Sequence, residues 1–238
     1  MAETRAVLFD FGGTLYDYAT LEAAERESLV DLTRWAGIET EVHSVEQAYR
    51  AAMRRVFRHY LPRRFYLHRD LFRDAVVEML KDFGATADTG DLERYRSLRW
   101  QRHARDFRLR EGVLETLAAL RQRGLATAIV SNIDNDQLAH LLELAGLARL
   151  FDHALSSEAA QSCKPDRAIF EAALRLTGCS ASKALFVGDT IAQDIVGANA
   201  VGMRSVLLWH RDDRQPPADG PRPQHVIRRI PEVLELLD

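Results

Sequence analysis

The stretch Val7-Leu8-Phe9-Asp10-Phe11-Gly12-Gly13-Thr14-Leu15 decides how the rest of this chain is read. An apolar run ends on an aspartate, and a Gly-Gly turn follows at once. The run reads as a short buried strand, and the turn as the point where the backbone leaves it. A carboxylate delivered to the end of a parallel-sheet strand is well set to act as a nucleophile.

Working outward, residues from Arg110 onward alternate between helical stripes and short apolar strands. Val113, Leu117 and Leu120 share a helical face, with Gly124 as its C-terminal cap. Ala126 to Val130 reads as a strand that ends at Ser131-Asn132. Asp134 with Gln137 makes a capping box for a helix through Leu138, Leu141 and Leu142 to Gly146. A weaker strand falls near Ala154-Leu155. Pro165 opens a helix with Ile169, Phe170, Ala173 and Leu174 on its apolar face, closed by Gly178. Ala184 to Val187 is a strand that leads into Gly188-Asp189. A short helix runs to Gly202, and a strand follows from Ser205 to Trp209. Residues 210–225 hold four of the seven prolines and read as a surface loop before a last strand (Val226, Ile227) and helix. This alternation predicts an α/β fold: a Rossmann-like parallel sheet with helices on both faces, with the first strand, Ala6 to Phe9, in that sheet.

Between Tyr16 and about Asp106 the pattern changes to helices alone. Leu29, Leu32 and Ala36 mark a first helix. Ser44-Val45-Glu46-Gln47 reads as a capping box ahead of Ala48, Ala52, Val56 and Tyr60. Leu71, Ala75, Met79 and Phe83 form a third stripe closed by Gly84, and Leu92 with Tyr95 a fourth. The expected division is a core of residues 1–15 and 107–238, interrupted by an all-helical insertion, residues 16–106, with its own bundle-like core.

Composition excludes several classes. The chain has 238 residues, 47% apolar and 28% charged, with a formal net charge of −3. These values fit a globular protein of one or two domains and argue against nucleic acid as the partner. No apolar run reaches the roughly 18 residues that span a bilayer. Met1-Ala2-Glu3-Thr4-Arg5 carries no signal-peptide pattern, so the cytoplasm is the expected location. Cys163 and Cys179 are too few for a disulfide framework, and His59, His68 and His103 lack zinc spacing.

Four separated segments place polar groups just past strands: Asp10, Ser131-Asn132, Lys164, and Gly188-Asp189 with Asp194. The C-terminal edge of a parallel sheet is where ligands bind. Three carboxylates in one crevice repel one another and resist ionisation unless cations intervene. Lys164, one of only three lysines in the chain with Lys81 and Lys183, supplies one cation. Mg2+ is the natural second, since it favours carboxylate oxygens, water and a substrate phosphate. A carboxylate beside such cations is suited to attack phosphorus, because they remove the repulsion an anionic substrate would meet. Ser131 and nearby backbone N–H groups are placed to hold phosphoryl oxygens.

These residues, in this order, resemble the haloacid dehalogenase superfamily: Asp10-Phe11-Gly12-Gly13-Thr14, Ser131-Asn132, Lys164-Pro165, and Gly188-Asp189 followed by Asp194. The helical insertion is similar to that family's cap domain, placed just after the first motif and expected to close over the crevice. The resemblance implies a magnesium-dependent hydrolase acting on a small phosphorylated metabolite through an aspartyl-phosphate at Asp10. It makes Asp10 the nucleophile and a metal ligand, Asp189 the other direct ligand, and Asp194 a support for the metal. It sets Ser131 and Lys164 to bind the phosphoryl group or balance charge, and Gly13 and Thr14 are expected beside the substrate; Asn132 either positions substrate or only satisfies backbone groups.

Gly12 departs from the pattern. Most phosphatases of the family have an aspartate there as general acid and base. Loss of such a group typically costs about 10²–10⁴-fold in rate. The main-chain carbonyl that binds magnesium at this position in the family is retained by glycine. Three readings follow: a phosphatase with a good leaving group or an acid from elsewhere (Asp17 is near in sequence), hydrolysis at carbon as in dehalogenases and phosphonatases, or a binder of phosphorylated ligands without turnover. Retention of Asp189 and Asp194 favours phosphorus over halogen. A phosphonatase would need a catalytic lysine in the insertion, and Lys81 is the only one there. The insertion also carries an arginine run, Arg50, Arg54, Arg55, Arg58, Arg63, Arg64, Arg69 and Arg73, opposed only by Asp70. Such a run is either a solvated helix face or a surface that meets an anionic substrate.

Overall fold

The structure is a computed structural model and describes residues 3–210 and 219–237. Met1, Ala2, Asp238 and residues 211–218 of the proline-bearing loop expected over 210–225 lie outside the described residues. By its contacts the chain divides into two units, Met1–Asp17 with Arg108–Asp238, and Tyr18–Phe107.

In the first unit β1 (Ala6–Phe9) is buried at every position. That is the mark of a strand covered on both faces. The helical unit then intervenes with α1 (Glu22–Trp35), α2 (Val42–Tyr60), α3 (His68–Asp82) and α4 (Thr89–Asp106). The first unit resumes with α5 (Val113–Gln122), β2 (Ala126–Ser131), α6 (Asn135–Leu144), β3 (His153–Ser156), α7 (Ser157–Ala160), α8 (Arg167–Thr177), β4 (Ala184–Gly188), a π turn at Ile191–Ile195, α9 (Val196–Val201), β5 (Arg204–Leu208) and β6 (His225–Ile227). A 3-10 turn at Ile230–Leu236 follows. The six strands are all parallel, in the order β3-β2-β1-β4-β5-β6. The fold is therefore the expected α/β, Rossmann-like sheet. The chain turns from one half of the sheet to the other beside β1, and a crevice opens at the strand ends of such a switch point.

One face of the sheet packs Leu8, Val130, Leu155 and Phe186 against Ile169, Phe170 and Ala173 of α8. The rings of Phe170 and Phe186 meet edge to face at 4.9 Å. The helical unit has its own core: Leu29 and Leu32 of α1, Val45 and Ala52 of α2, Val76, Met79 and Leu80 of α3, and Tyr95 of α4. Among the described residues no helix is long and apolar enough to cross a membrane.

Several local expectations are corrected. Helix α2 starts at Val42 with Glu41 as N-cap, so Ser44 lies inside its first turn. The Gln47 side chain, which the box would turn back to the Ser44 N–H, instead meets the His43 ring at 2.7 Å. Asp134 does stand at the N-cap of α6 but makes no side-chain cap bond; the N–H groups of Asn135 and Gln137 are taken by Glu158 and Asp136. Helix α8 opens two residues later than Pro165 suggested, because the Asp166 carboxylate accepts from the Ala168 N–H at 2.8 Å and caps it. Tyr16 and Asp17 remain with the sheet unit. Tyr16 bridges Gly12 on one side and Leu109 on the other.

Candidate active site

Asp10 follows β1 directly, and its N–H donates to the Val187 carbonyl of β4 at 2.8 Å. The loop then turns tightly: Gly13 N–H donates to Tyr16 O, and Leu15 N–H to Phe11 O. Gly13 has φ +86°, and a Cβ there would stand 2.4 Å from an Asp189 carboxylate oxygen. Only glycine allows this turn beside that carboxylate.

Ser131 is the last residue of β2, and its hydroxyl donates to Asp10 Oδ1 at 3.3 Å. Asn132 comes next and fixes the segment that carries Lys164. Its side-chain oxygen accepts from the Lys164 N–H (2.7 Å), and its amide donates to the Lys164 carbonyl (3.0 Å). The Lys164 ammonium is thereby aimed between two carboxylates, 2.6 Å from Asp10 Oδ1 and 2.7 Å from Asp194 Oδ1. Its side chain is 1% exposed. At the end of β4, a Cβ on Gly188 would stand 2.4 Å from Asp194 Cγ, so the strand end must be bare for Asp194 to approach. Asp194 rides on the π turn, and its Oδ2 accepts from the Thr190 N–H at 2.9 Å.

The structure thus brings Asp10, Ser131, Asn132, Lys164, Asp189 and Asp194 together, as it does Gly13 and Thr14. The Thr14 hydroxyl donates to Asp10 Oδ2 at 3.1 Å and lies 3.4 Å from Asp189 Oδ1. Two neighbours were not read from the sequence. The Thr190 hydroxyl donates to Asp189 Oδ1 (3.3 Å), and Gln193 accepts from the Asn132 amide (3.3 Å). Their place in the short segment between Asp189 and Asp194 was the available signal.

Other candidates are engaged elsewhere. The Asp17 carboxylate lies 3.1 Å from the Arg110 guanidinium. Lys81 pairs with Glu78 at 2.7 Å on an exposed face of α3. Cys163 is buried. The arginine run is opposed by more than Asp70: Arg55 meets Asp82, and Arg73 meets both Asp70 and Asp74. Asp70 and Asp74 lie near Arg73 along α3, whereas Asp82 reaches Arg55 because α3 packs on α2.

Carboxylate oxygens of Asp10, Asp189 and Asp194 lie within 4.8 Å of one another. Among the described residues their charge is opposed by the Lys164 ammonium alone, so two negative charges are in excess when all are ionised. Burial, then the charge on Asp10, raises the Asp189 pKa to about 6. Burial likewise pushes Asp194 up, against the attraction of Lys164. Lys164 itself is opposed by burial, yet Asp10 and Asp194 raise its pKa well above the ordinary lysine value. An oxygen-only donor set with unneutralised charge fits a hard divalent cation. The residues present therefore suit a metal ion.

The family model for haloacid dehalogenase-like hydrolases matches residues 4–202. The chain belongs to that family. This hydrolase is 30% identical over 203 residues to the ribulose-1,5-bisphosphate 5-phosphatase of Halopiger xanaduensis, covering 85% of this chain and 84% of that one. It is 32% identical over 222 residues to human haloacid dehalogenase-like hydrolase domain-containing protein 3, covering 89% and 86%. The bovine counterpart aligns more closely, 40% over 129 residues, but over only 51% of its length. Among solved structures, YfnB of Bacillus subtilis, determined bound to magnesium, superposes with a TM-score of 0.78 over the whole of both chains at 24% identity. That likeness bears on the fold.

Proposed function

We propose that this hydrolase is a magnesium-dependent phosphatase of a small phosphorylated metabolite, working through an aspartyl-phosphate at Asp10. The observation that carries this reading is the convergence of three carboxylates on one crevice with a single ammonium among them. The phosphatase name of a relative aligned over most of both chains supports the same chemistry.

Asp10, Asp189 and the Gly12 carbonyl would hold the ion, with Asp194 steadying it. Magnesium supplies positive charge against the phosphoryl oxygens. The Asp10 carboxylate attacks phosphorus, the bond to the leaving oxygen breaks, and the phosphoryl group rests on Asp10. Lys164 and the Ser131 hydroxyl hold its equatorial oxygens, where charge accumulates in the transition state. Water then attacks phosphorus, phosphate leaves, and the Asp10 carboxylate is restored. Gly12 offers no proton to the leaving oxygen. Asp17 does not replace it, because its carboxylate is paired with Arg110. The substrate is therefore one whose leaving group needs little protonation, such as an acyl phosphate or an activated sugar phosphate.

Phosphate release from acyl, aryl and alkyl phosphates, with and without magnesium, tests this reading. The rate is expected to fall steeply as the leaving-group pKa rises and to vanish without metal. A flat profile would mean that another acid serves. Halide release from a 2-haloacid in metal-free buffer would overturn the phosphatase reading.

A further inference from the structure

Arg110 is not part of any motif described above, yet it holds the nucleophile loop at two points. Its Nε and Nη2 donate to the Gly13 carbonyl at 3.1 and 2.9 Å. Its Nη1 lies 3.1 Å from Asp17 Oδ2. Its backbone N–H donates to Leu15 O at 2.8 Å. The guanidinium side chain is 17% exposed, so these bonds are partly shielded from water.

The consequence follows from Gly13. A glycine at φ +86° has little intrinsic preference for that conformation over its alternatives. The two peptide planes that flank it must be fixed by their partners. The Gly12–Gly13 plane is fixed by its N–H, which donates to Tyr16 O. The Gly13–Thr14 plane is fixed by its carbonyl, which takes both Arg110 bonds. Thr14, beyond that second plane, reaches Asp10 and Asp189. In turn, Asp17 anchors the arginine, and a planar fork can serve a carbonyl and a carboxylate at once where an ammonium cannot.

We infer that Arg110 is a positioning residue for the metal site. It clasps Gly13 and Asp17 so that the Gly12 carbonyl and Thr14 keep the orientation that magnesium binding requires. This inference rests on the magnesium site proposed above. Partners that orient metal ligands typically change metal affinity by about 10–100-fold when removed.

The test is magnesium-dependent thermal stabilisation of the whole chain, with the ion alone as probe and no substrate. In Arg110→Gln the magnesium concentration that gives half the stabilisation is expected to rise about tenfold or more. At saturating magnesium, kcat is expected to stay within about threefold of the parent, so the defect lies in metal affinity rather than chemistry. Arg110→Lys keeps the charge but loses the fork, is expected to weaken metal binding by a smaller factor, and decides the matter if the glutamine variant does not fold. Parent-like magnesium affinity in the folded variants would overturn the clasp. A parent chain with no magnesium response would instead overturn the proposed function.

Discussion

Two largely buried ionic clusters, one in each unit, have opposite electrostatics. In the helical unit Glu25 of α1 faces Arg99 and His103 of α4, and the Tyr95 hydroxyl donates to it at 3.0 Å. Burial pushes the Glu25 carboxyl up, but the Arg99 charge and bonds from His103 and Arg99 outweigh it and bring its pKa down to about 2. In the sheet unit burial also pushes Asp189 and Asp194 up, and there Lys164 does not suffice to bring them back. A buried charge met by enough donors is architecture. A buried charge left over is what the proposed magnesium ion would answer.

The largest effect expected from this contrast is that of Asp10→Asn. Turnover should fall by about 10⁴-fold or more, because the proposed nucleophile is gone. Thermal stability without metal should hold or rise, because the variant removes one of three mutually repelling carboxylates. Phosphate release and a melting curve measure the two halves. A large loss of stability would place the site with Glu25, as architecture.

Glu25→Gln is the mirror experiment. It leaves Arg99 buried without its counter-ion and should cost roughly 3 kcal/mol of folding stability at neutral pH. The sign of the pH dependence follows from the lowered pKa. The stabilisation is present above the unfolded glutamate value of 4.5 and is lost as pH falls towards about 2. Chemical denaturation of parent and variant from pH 7 down to pH 3 should therefore converge. The magnesium response should not change; if it does, the two clusters are not independent.

The two clusters also differ in how far they could be read from the sequence. Asp10 was legible because a short apolar run, Ala6 to Phe9, leads straight into it and a Gly-Gly turn follows. Lys164 stood out because the chain has so few lysines. Gly188-Asp189 and Asp194 fall at strand-end and helix-start positions that periodicity alone marks. Glu25, Arg99 and His103 have no such frame. Each sits on a helix rich in charges, and only the packing of α1 on α4 selects them from their neighbours. Arg110 was hidden for a related reason: a guanidinium bound to a backbone carbonyl leaves no pattern of residue types. The misread capping box at Ser44 shows how little a local signal fixes by itself: the helix already starts at Val42, and Gln47 meets His43 instead of turning back to Ser44.

A middle-sized effect concerns magnesium and pH. Between about pH 4 and pH 6 the metal-free chain holds protons on Asp189 and Asp194 that the unfolded chain has released, since both pKa values are raised from 3.8, to about 6 and about 7. Their contribution to stability is full below about pH 4 and is lost as pH rises through about 6 to 7. Magnesium needs the ionised carboxylates, so its affinity should rise with pH across that window, by up to about tenfold per unit for each proton displaced. Thermal shifts at pH 5, 6, 7 and 8, with and without magnesium, read both trends. Magnesium affinity constant across this range would show that the carboxylates are already ionised, and would erase the contrast with Glu25.

The smallest effect is expected on the exposed face of the helical unit. Arg55 and Asp82 are 2.7 Å apart, with about two-fifths of each side chain exposed. Arg73 is shared between Asp70 and Asp74, and Arg63 lies 4.3 Å over the Tyr60 ring. Such surface pairs are worth about 0–1 kcal/mol each, because water screens them and the side chains lose freedom. Arginines already paired with aspartates have little charge left to offer an anion. Arg55→Gln and Arg73→Gln should therefore shift stability by less than about 1 kcal/mol and leave KM for the phosphorylated substrate nearly unchanged. A clear rise in KM in either variant, with kcat preserved, would show that these side chains leave their aspartates to meet the substrate. The helical unit would then hold, besides its satisfied buried cluster, a second set of charges that answer to a ligand.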